Sequence, residues 1–248
     1  MIFATVSSGG RLYVKGPSGL DGDAMLLREW FGSSLADAFG LQTLNYSLMA
    51  EPVNPLDGHI PLADGSQLRT DMAFATRVEP GLAWEGGSEA LLLVGNRSDF
   101  ARMVVFDTWV RNVDRYCPRS DGSYHSNLGN VFLSTDKSRA TKPQLLAVDH
   151  THILFGNHEF PMGDQTSRIS DPTIYGLFPE FRDLINDKDL KNAFRKLESI
   201  QYQTIISIAK TTPSCWGMTN AMAHALASFL VTRAKVVPTL SWNTAMKW

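Results

Sequence analysis

The sequence predicts an α+β fold in two parts: a small strand-rich N-terminal lobe with one helix, residues 1–80, and a larger helical lobe, residues 81–248. Three observations carry this. Strand-forming runs bounded by Gly, Ser and Pro recur through the first ~80 positions. One stretch with helical spacing interrupts them. From Ser88 onward the apolar residues recur mainly at helical spacing. A chain of 248 residues suits one large domain or two coupled lobes.

The first element is a hairpin. Ile2 to Val6 and Leu12 to Lys15 are rich in strand formers, and Ser7-Ser8-Gly9-Gly10 supplies the turn. Gly16-Pro17-Ser18-Gly19 ends it. A helix is expected from Asp23 to Phe39, capped by Asp21 or Asp23 and stopped by Gly40. Leu27, Phe31, Leu35 and Ala38 lie at helical spacing, and Trp30 widens that face. Residues 41–50 read as a strand, 51–66 as a Pro/Gly/Asp-rich loop and 72–78 as a further strand. Glu79-Pro80-Gly81 is a connector, and Glu85-Gly86-Gly87 a second break.

In the second part the clearest helix runs from Ser98, its expected cap, to Asn112. Met103, Phe106, Val110 and Val113 form its apolar row. Short strands are expected at Val131–Leu133 and Leu145–Val148. His150 to Pro179 has little periodicity and is long for a connection, which points to a functional or partly mobile loop. Helices follow at about 180–186, 188–209 and 219–234, the last capped by Thr219.

Composition narrows the function. The net charge is -2 and no Lys/Arg-rich run is present, which argues against nucleic acid as the ligand. Charged residues make up 19%, too few for a disordered chain of this kind. No apolar run is long enough for a membrane span. The N-terminal residues lack a basic segment and a long apolar stretch, so they read as a strand and not as a leader. Cys117 and Cys215 are far apart and read as free thiols in a reducing compartment, so a cytoplasmic location is expected.

Four features carry chemistry, in this order: Leu12-Tyr13-Val14-Lys15, a strand ending in lysine; Glu29 within the next helix; Asn112-Val113-Asp114-Arg115 after a long apolar helix, followed later by Asn130-Val131-Phe132-Leu133; and Leu145-Leu146-Ala147-Val148-Asp149, an apolar strand ending in aspartate. Phosphoryl transfer from a nucleotide needs such a set. A lysine neutralises phosphate oxygens and a glutamate holds it in place. One aspartate orients the acceptor hydroxyl. An asparagine and a second aspartate hold magnesium, which favours oxygen ligands. His150 and His152 beside Asp149 raise a transition-metal alternative, but no third ligand follows at sensible spacing.

This order resembles the protein kinases, and the HipA-like kinases more closely. Phe106 to Arg115 resembles their N-x-D-R catalytic-loop signature with its preceding apolar helix. Val148-Asp149-His150 resembles their metal-binding strand end. Tyr13-Val14-Lys15, Leu27-Arg28-Glu29 and Phe74-Ala75-Thr76-Arg77 resemble the N-terminal lobe. The resemblance covers about residues 1–155 and implies a bilobal protein-kinase-like fold. It implies ATP and Mg2+ as cofactors, Lys15 on the phosphates and Glu29 paired with Lys15. Asp114 would be the catalytic aspartate, with Asn130 and Asp149 on the metal. Asn127 is the alternative to Asn130.

Three departures from the family pattern are visible. Asp114 and Asn130 are sixteen positions apart, where kinases have five, so residues 116–126 are expected to loop out. No G-x-G-x-x-G is present; Ser7, Ser8, Gly9 and Gly10 would cradle phosphate instead. His150, not glycine, follows Asp149. Asn112 is read either as a brace for the catalytic loop or as a helix-end cap, and Arg115 as a phosphate contact or a surface ion pair.

The expected activity is transfer of the γ-phosphoryl group of ATP to a hydroxyl, first choice a serine or threonine of an unknown protein substrate. A nucleotide-binding pseudokinase or scaffold, and a small-molecule kinase of the aminoglycoside-phosphotransferase type, are the alternatives. Known relatives imply a regulatory or antitoxin-like partner.

Overall fold

The structure is a computed structural model that describes residues 1–5, 10–17, 22–50, 59–61, 67–69, 72–119, 121–136, 138–154, 163 and 165–247. The expected hairpin is present as β1 (Ile2–Thr5) and β2 (Arg11–Lys15), antiparallel with Phe3 opposite Tyr13. A helix α1 (Gly22–Phe39) follows. Next come β3 (Tyr46–Met49), β4 (His59–Pro61), β5 (Gln67–Arg69) and β6 (Ala73–Arg77). Strands β1, β2, β6 and β3 form one antiparallel sheet in the order β1-β2-β6-β3, and β4 and β5 form a separate ribbon.

Two local readings change here. The strand expected over 41–50 is confined to Tyr46–Met49; residues 41–45 lie outside it, with Gln42 O accepting from Ala147 N and Asn45 O from Arg77 N, both at 2.9 Å, and with Leu41 and Thr43 buried. The loop expected over 51–66 contains β4, which pairs antiparallel with the nearby β5; the Pro and Gly content of the segment conceals that strand. The remainder of that loop, Asp21 as a cap, and Val6 to Gly9 of the first turn lie outside the described residues.

The helix α1 is held by the row Leu27, Phe31, Leu35 and Phe39, the last three fully buried. Each such side chain is worth about 1.5–3 kcal/mol of burial. Gly40 stops the helix as expected. Its φ is +80°, Gly40 N–H donates to Asp37 O, and Leu41 N–H donates to Ala36 O, both at 2.9 Å. That pair of bonds satisfies the last carbonyls, and the left-handed position favours glycine.

The second sheet has the order β11-β10-β7, from β7 (Gly81–Ala83), β10 (Val131–Ser134) and β11 (Gln144–Ala147). Gly81 is therefore the first residue of a strand and not just a connector. Between them stand α2 (Ser88–Leu92), α3 (Ser98–Val110) and a hairpin of β8 (Tyr116–Pro118) and β9 (Tyr124–Ser126). Residues 116–126 do not simply loop out; they pair across the turn at Arg119–Ser123. Ser98 is not the cap of α3. The N-cap position is Arg97, and Asn96 Nδ2 reaches Asp99 Oδ2 at 2.6 Å instead. Arg111 takes the left-handed C-cap position with φ 55°.

The rest is helical: α4 (Thr166–Ile169), a 3-10 turn over Pro179–Leu184, α5 (Asp187–Glu198), α6 (Tyr202–Thr211), α7 (Asn220–Val236) and α8 (Trp242–Ala245). The single helix expected over 188–209 is two. The break at Ser199–Gln201 sends Ile200 into the core, α5 packs on α3, and α6 packs on α7 and α1. No glycine or proline marks the break, so tertiary packing decides it. Thr219 caps α7, its Oγ1 accepting from Met222 N at 3.1 Å. The main core wraps α3, whose Met103, Val104, Phe106, Trp109 and Val110 are fully buried. Among the described residues no helix is long and apolar enough to cross a membrane.

Candidate active site

The site begins on β2. Side chains alternate along a strand, so with Val14 buried on one face, Lys15 points to the other. There its Nζ lies 3.0 Å from Glu29 Oε2 and 3.3 Å from Asp149 Oδ2. Glu29 sits on the buried side of α1 at 3% exposure. The helix grips the turn after β11 with two consecutive residues. Glu29 Oε2 accepts from His150 N at 3.2 Å, and Arg28 Nε donates to Thr151 O at 2.6 Å.

Asp149 has φ 59°, a left-handed position that Asp tolerates because its short side chain bonds locally. Its Oδ1 accepts from Thr151 Oγ1 at 2.6 Å and from Thr151 N at 3.3 Å. The carboxylate is thereby aimed by its own turn, with Oδ2 toward Lys15.

Asp114 forms the second half. Oδ2 accepts from Asn130 Nδ2 at 2.7 Å and Asn127 Nδ2 at 3.0 Å, and Oδ1 from His125 Nε2 at 2.9 Å. Both asparagines proposed for the metal therefore hold Asp114. The amide nitrogen of Asn130 must face the carboxylate, which leaves its Oδ1 for another partner. The two halves are joined through backbone: Val148 N–H donates to Asn130 O at 3.2 Å, at the start of β10 and just past β11. A side-chain route exists as well. Thr151 Oγ1 bonds both Asp149 Oδ1 and His152 Nδ1, the latter at 3.0 Å, and His152 Nδ1 stands 3.7 Å from Asp114 Oδ2.

A buried ion pair underlies this loop. Arg115 is fully buried and its Nε donates to Asp107 Oδ2 at 2.7 Å. Its Nη1 donates to the carbonyls of Asn130 and Val148, so one guanidinium pins the two strand ends that carry the site. Arg115 is thus neither a phosphate contact nor a surface pair. Asn112 is a brace: its Nδ2 donates to Asp107 Oδ1 at 3.0 Å while its Oδ1 accepts from Asp114 N at 3.2 Å.

Burial pushes the Glu29 carboxyl up to about 7, with Lys15 opposing and Asp149 adding to the rise. For Lys15, burial pulls down, but Glu29 and Asp149 outweigh it and the amine is held above its ordinary value. Burial would raise Asp149; Lys15 and the Thr151 donors reverse that and hold it well below the usual carboxylate range. Asp114 is likewise lowered, its hydrogen bonds from His125, Asn130 and Asn127 outweighing burial.

A raised carboxyl binds its proton more tightly in the folded chain, so the contribution of Glu29 to stability falls as pH rises from about 4.5 to about 7. In metal-free protein, Glu29→Gln is expected to gain on wild type across that window by on the order of 1–3 kcal/mol, read as a growing difference in Tm. A constant difference would contradict a raised Glu29.

The sequence-predicted residues Lys15, Glu29 and Asp149 thus meet directly, and Asp114 and Asn130 meet beside them. Gly10 is exposed just before β2, while Ser7, Ser8 and Gly9 lie outside the described residues. His125 was missed, because its position eleven residues beyond Asp114 becomes meaningful only through the hairpin. His150 is fully buried, its ring 5.5 Å from Phe106 and against Gly32. Burial lowers it to about 3, which suits a neutral packing residue. Among the described residues no group of three His, Cys, Asp or Glu could hold a metal ion. An open cleft of about 570 Å³, lined by Asp37, Gln42, Asn45 and Arg139, shares none of these residues.

The family model described as HipA-like kinase matches residues 3–237. No curated protein sequence matches the chain. Among solved structures, the Helicobacter pylori proinflammatory kinase CtkA is similar, with a TM-score of 0.57 and 15% identity, covering 94% of this chain and 88% of that one. At that identity the likeness speaks for the fold. A 618-residue N-terminal fragment of LepB from Legionella pneumophila aligns with 96% of this chain and 46% of that one, at TM-score 0.40 and 15% identity. The small antiparallel sheet with α1, the larger helical part and the kinase likeness describe a bilobal kinase-like fold. With the family match spanning nearly its whole length, the chain belongs to the HipA-like kinases.

Proposed function

We propose that the protein transfers the γ-phosphoryl group of ATP to a hydroxyl, using magnesium, in the cleft between a small lobe of about residues 1–80 and a larger lobe of 81–248. The single observation that carries this reading is Lys15 Nζ standing between Glu29 and Asp149, at 3.0 and 3.3 Å. Lys15 binds phosphate oxygens, with Glu29 fixing its direction. Ser7 to Gly10 offer hydroxyls and backbone N–H groups to the phosphates.

The donor set fits magnesium: an ionised Asp149 carboxylate and the amide oxygen of Asn130, both hard oxygen ligands. Magnesium, when bound, would neutralise charge on the phosphate oxygens. Asp114 orients the acceptor hydroxyl. Its lowered pKa makes it a weak base, so it takes the proton late, as the new oxygen–phosphorus bond forms and the bond to the β-phosphate breaks. Most of the rate enhancement then comes from positioning and electrostatics.

The choice of a protein serine or threonine as acceptor, and of a regulatory antitoxin-like partner, comes from the family alone. The two free thiols, Cys117 and Cys215, fit the cytoplasm as the setting.

ADP release and self-phosphorylation test the reading. Wild type is expected to turn over, and Asp114→Ala to be slower by about 10²–10³-fold with ATP still bound. Equal inertness of wild type and variant, each with ATP bound, would favour a nucleotide-binding scaffold.

A further inference from the structure

Asp114 has more to say about the acceptor than its identity as an aspartate. An ionised carboxylate offers about four lone-pair sites, two on each oxygen. On Oδ2 both are engaged, by Asn127 and Asn130. His152 Nδ1, at 3.7 Å, is beyond hydrogen-bond reach. Among the described residues only His125 Nε2 is bound to Oδ1, at 2.9 Å. The remaining lone pair of the carboxylate is therefore on Oδ1, beside the imidazole ring.

The tautomer of that ring follows from its partners. Arg119 Nη2 lies 3.3 Å from His125 Nδ1 and can only donate, so Nδ1 accepts. The proton is then on Nε2 and points at Asp114 Oδ1. Both residues belong to the β8–β9 hairpin and its turn, the segment that separates Asp114 from Asn130 in the chain. The hairpin is anchored to the loop it serves. Asn127 N–H donates to Arg115 O at 2.9 Å, and the rings of Tyr116 and Tyr124 stack at 5.2 Å across its two strands. The His125 side chain is 36% exposed and that of Asp114 17%, so the pair is reached from solvent.

We propose that His125 is a positioning residue for phosphoryl transfer: its Nε2–H fixes Asp114 so that the acceptor hydroxyl bonds the remaining lone pair of Oδ1, with the β8–β9 hairpin forming the acceptor side of the site. The proposal rests on the phosphotransferase reading of Asp114. It predicts that the acceptor approaches past residues 119–126 and that ATP does not.

Two variants separate a positioning role from a structural one. His125→Phe keeps a ring of similar size and removes the donor. His125→Gln keeps a donor on a flexible arm. Phosphoryl transfer is followed as ADP release and as label transfer to the protein itself and to dephosphorylated casein, with Tm measured in parallel. His125→Phe is expected to lower kcat roughly 10- to 100-fold, what a misplaced reacting group costs, with KM for ATP and Tm nearly unchanged. His125→Gln is expected to recover most of kcat. If His125→Phe does not fold, His125→Asn, too short to reach Oδ1, takes its place. An active wild type with an unaffected kcat in the donor-free variant overturns this proposal alone, as does a His125→Gln no faster than that variant. An inert wild type overturns the phosphotransferase reading and this proposal with it.

Discussion

Asp149→Asn is expected to lower phosphoryl transfer by on the order of 10³-fold while leaving the fold intact. The substitution removes one negative charge and little else. Asparagine tolerates the left-handed φ of 59° as well as aspartate does. Its amide oxygen can still accept from Thr151 N and Oγ1, so the turn survives. What goes is the charge 3.3 Å from Lys15 Nζ and the hard anionic oxygen for magnesium. The expected signature is a folded protein whose Tm falls modestly with the loss of the Lys15 ion pair, with ADP release near background and weakened dependence of nucleotide affinity on magnesium. Retention of wild-type turnover in this variant would remove Asp149 from the chemistry altogether.

Asp107→Ala has the largest expected effect on stability, about 3–5 kcal/mol, because it leaves Arg115 buried and without its counter-ion. For a chain of this length such a loss lowers Tm by roughly 10 °C or more. Asp107 and Arg115 are both fully buried, and Gly176 packs so closely on the carboxylate, at φ +73°, that a Cβ there would collide with it. The damage also reaches the site. Arg115 pins the carbonyls of Asn130 and Val148, and Asn112 ties Asp107 to the backbone of Asp114. Turnover is therefore expected to fall even well below the lowered Tm. Thermal unfolding followed by circular dichroism, with activity assayed at low temperature, checks both parts. A Tm within a few degrees of wild type would mean that the ion pair is not what holds the loop.

The two predictions touch residues that the chain reveals to different degrees. Asp149 is legible because an apolar strand ends in a carboxylate at the right place in the order. Asp107 is not, since an aspartate inside an apolar helix carries no local mark of its partner. Arg115 is concealed for the same reason: next to the aspartate proposed as catalytic it reads as a phosphate contact or a surface ion pair, and only burial shows it facing the core. The hairpin at 116–126 reads in the sequence as slack between Asp114 and Asn130. Its three-residue strands are too short for periodicity to register. The split of α5 from α6 was hidden likewise, since the break lacks the residues that usually announce one.

By itself the sequence determined the elements with local causes and the order of the chemical groups. The glycine that stops α1, the threonine that caps α7, the alternation that turns Lys15 away from Val14, and the succession Lys15, Glu29, Asp114, Asn130 and Asp149 are all set by neighbours a few positions away. Only the tertiary structure decided which of these groups touch. Contacts such as Glu29 with the His150 backbone join positions 121 apart, and they form because helices and strands pack to bury apolar faces, not because any nearby residue asks for them. The partners of Asp114, and above all His125, belong to that second kind.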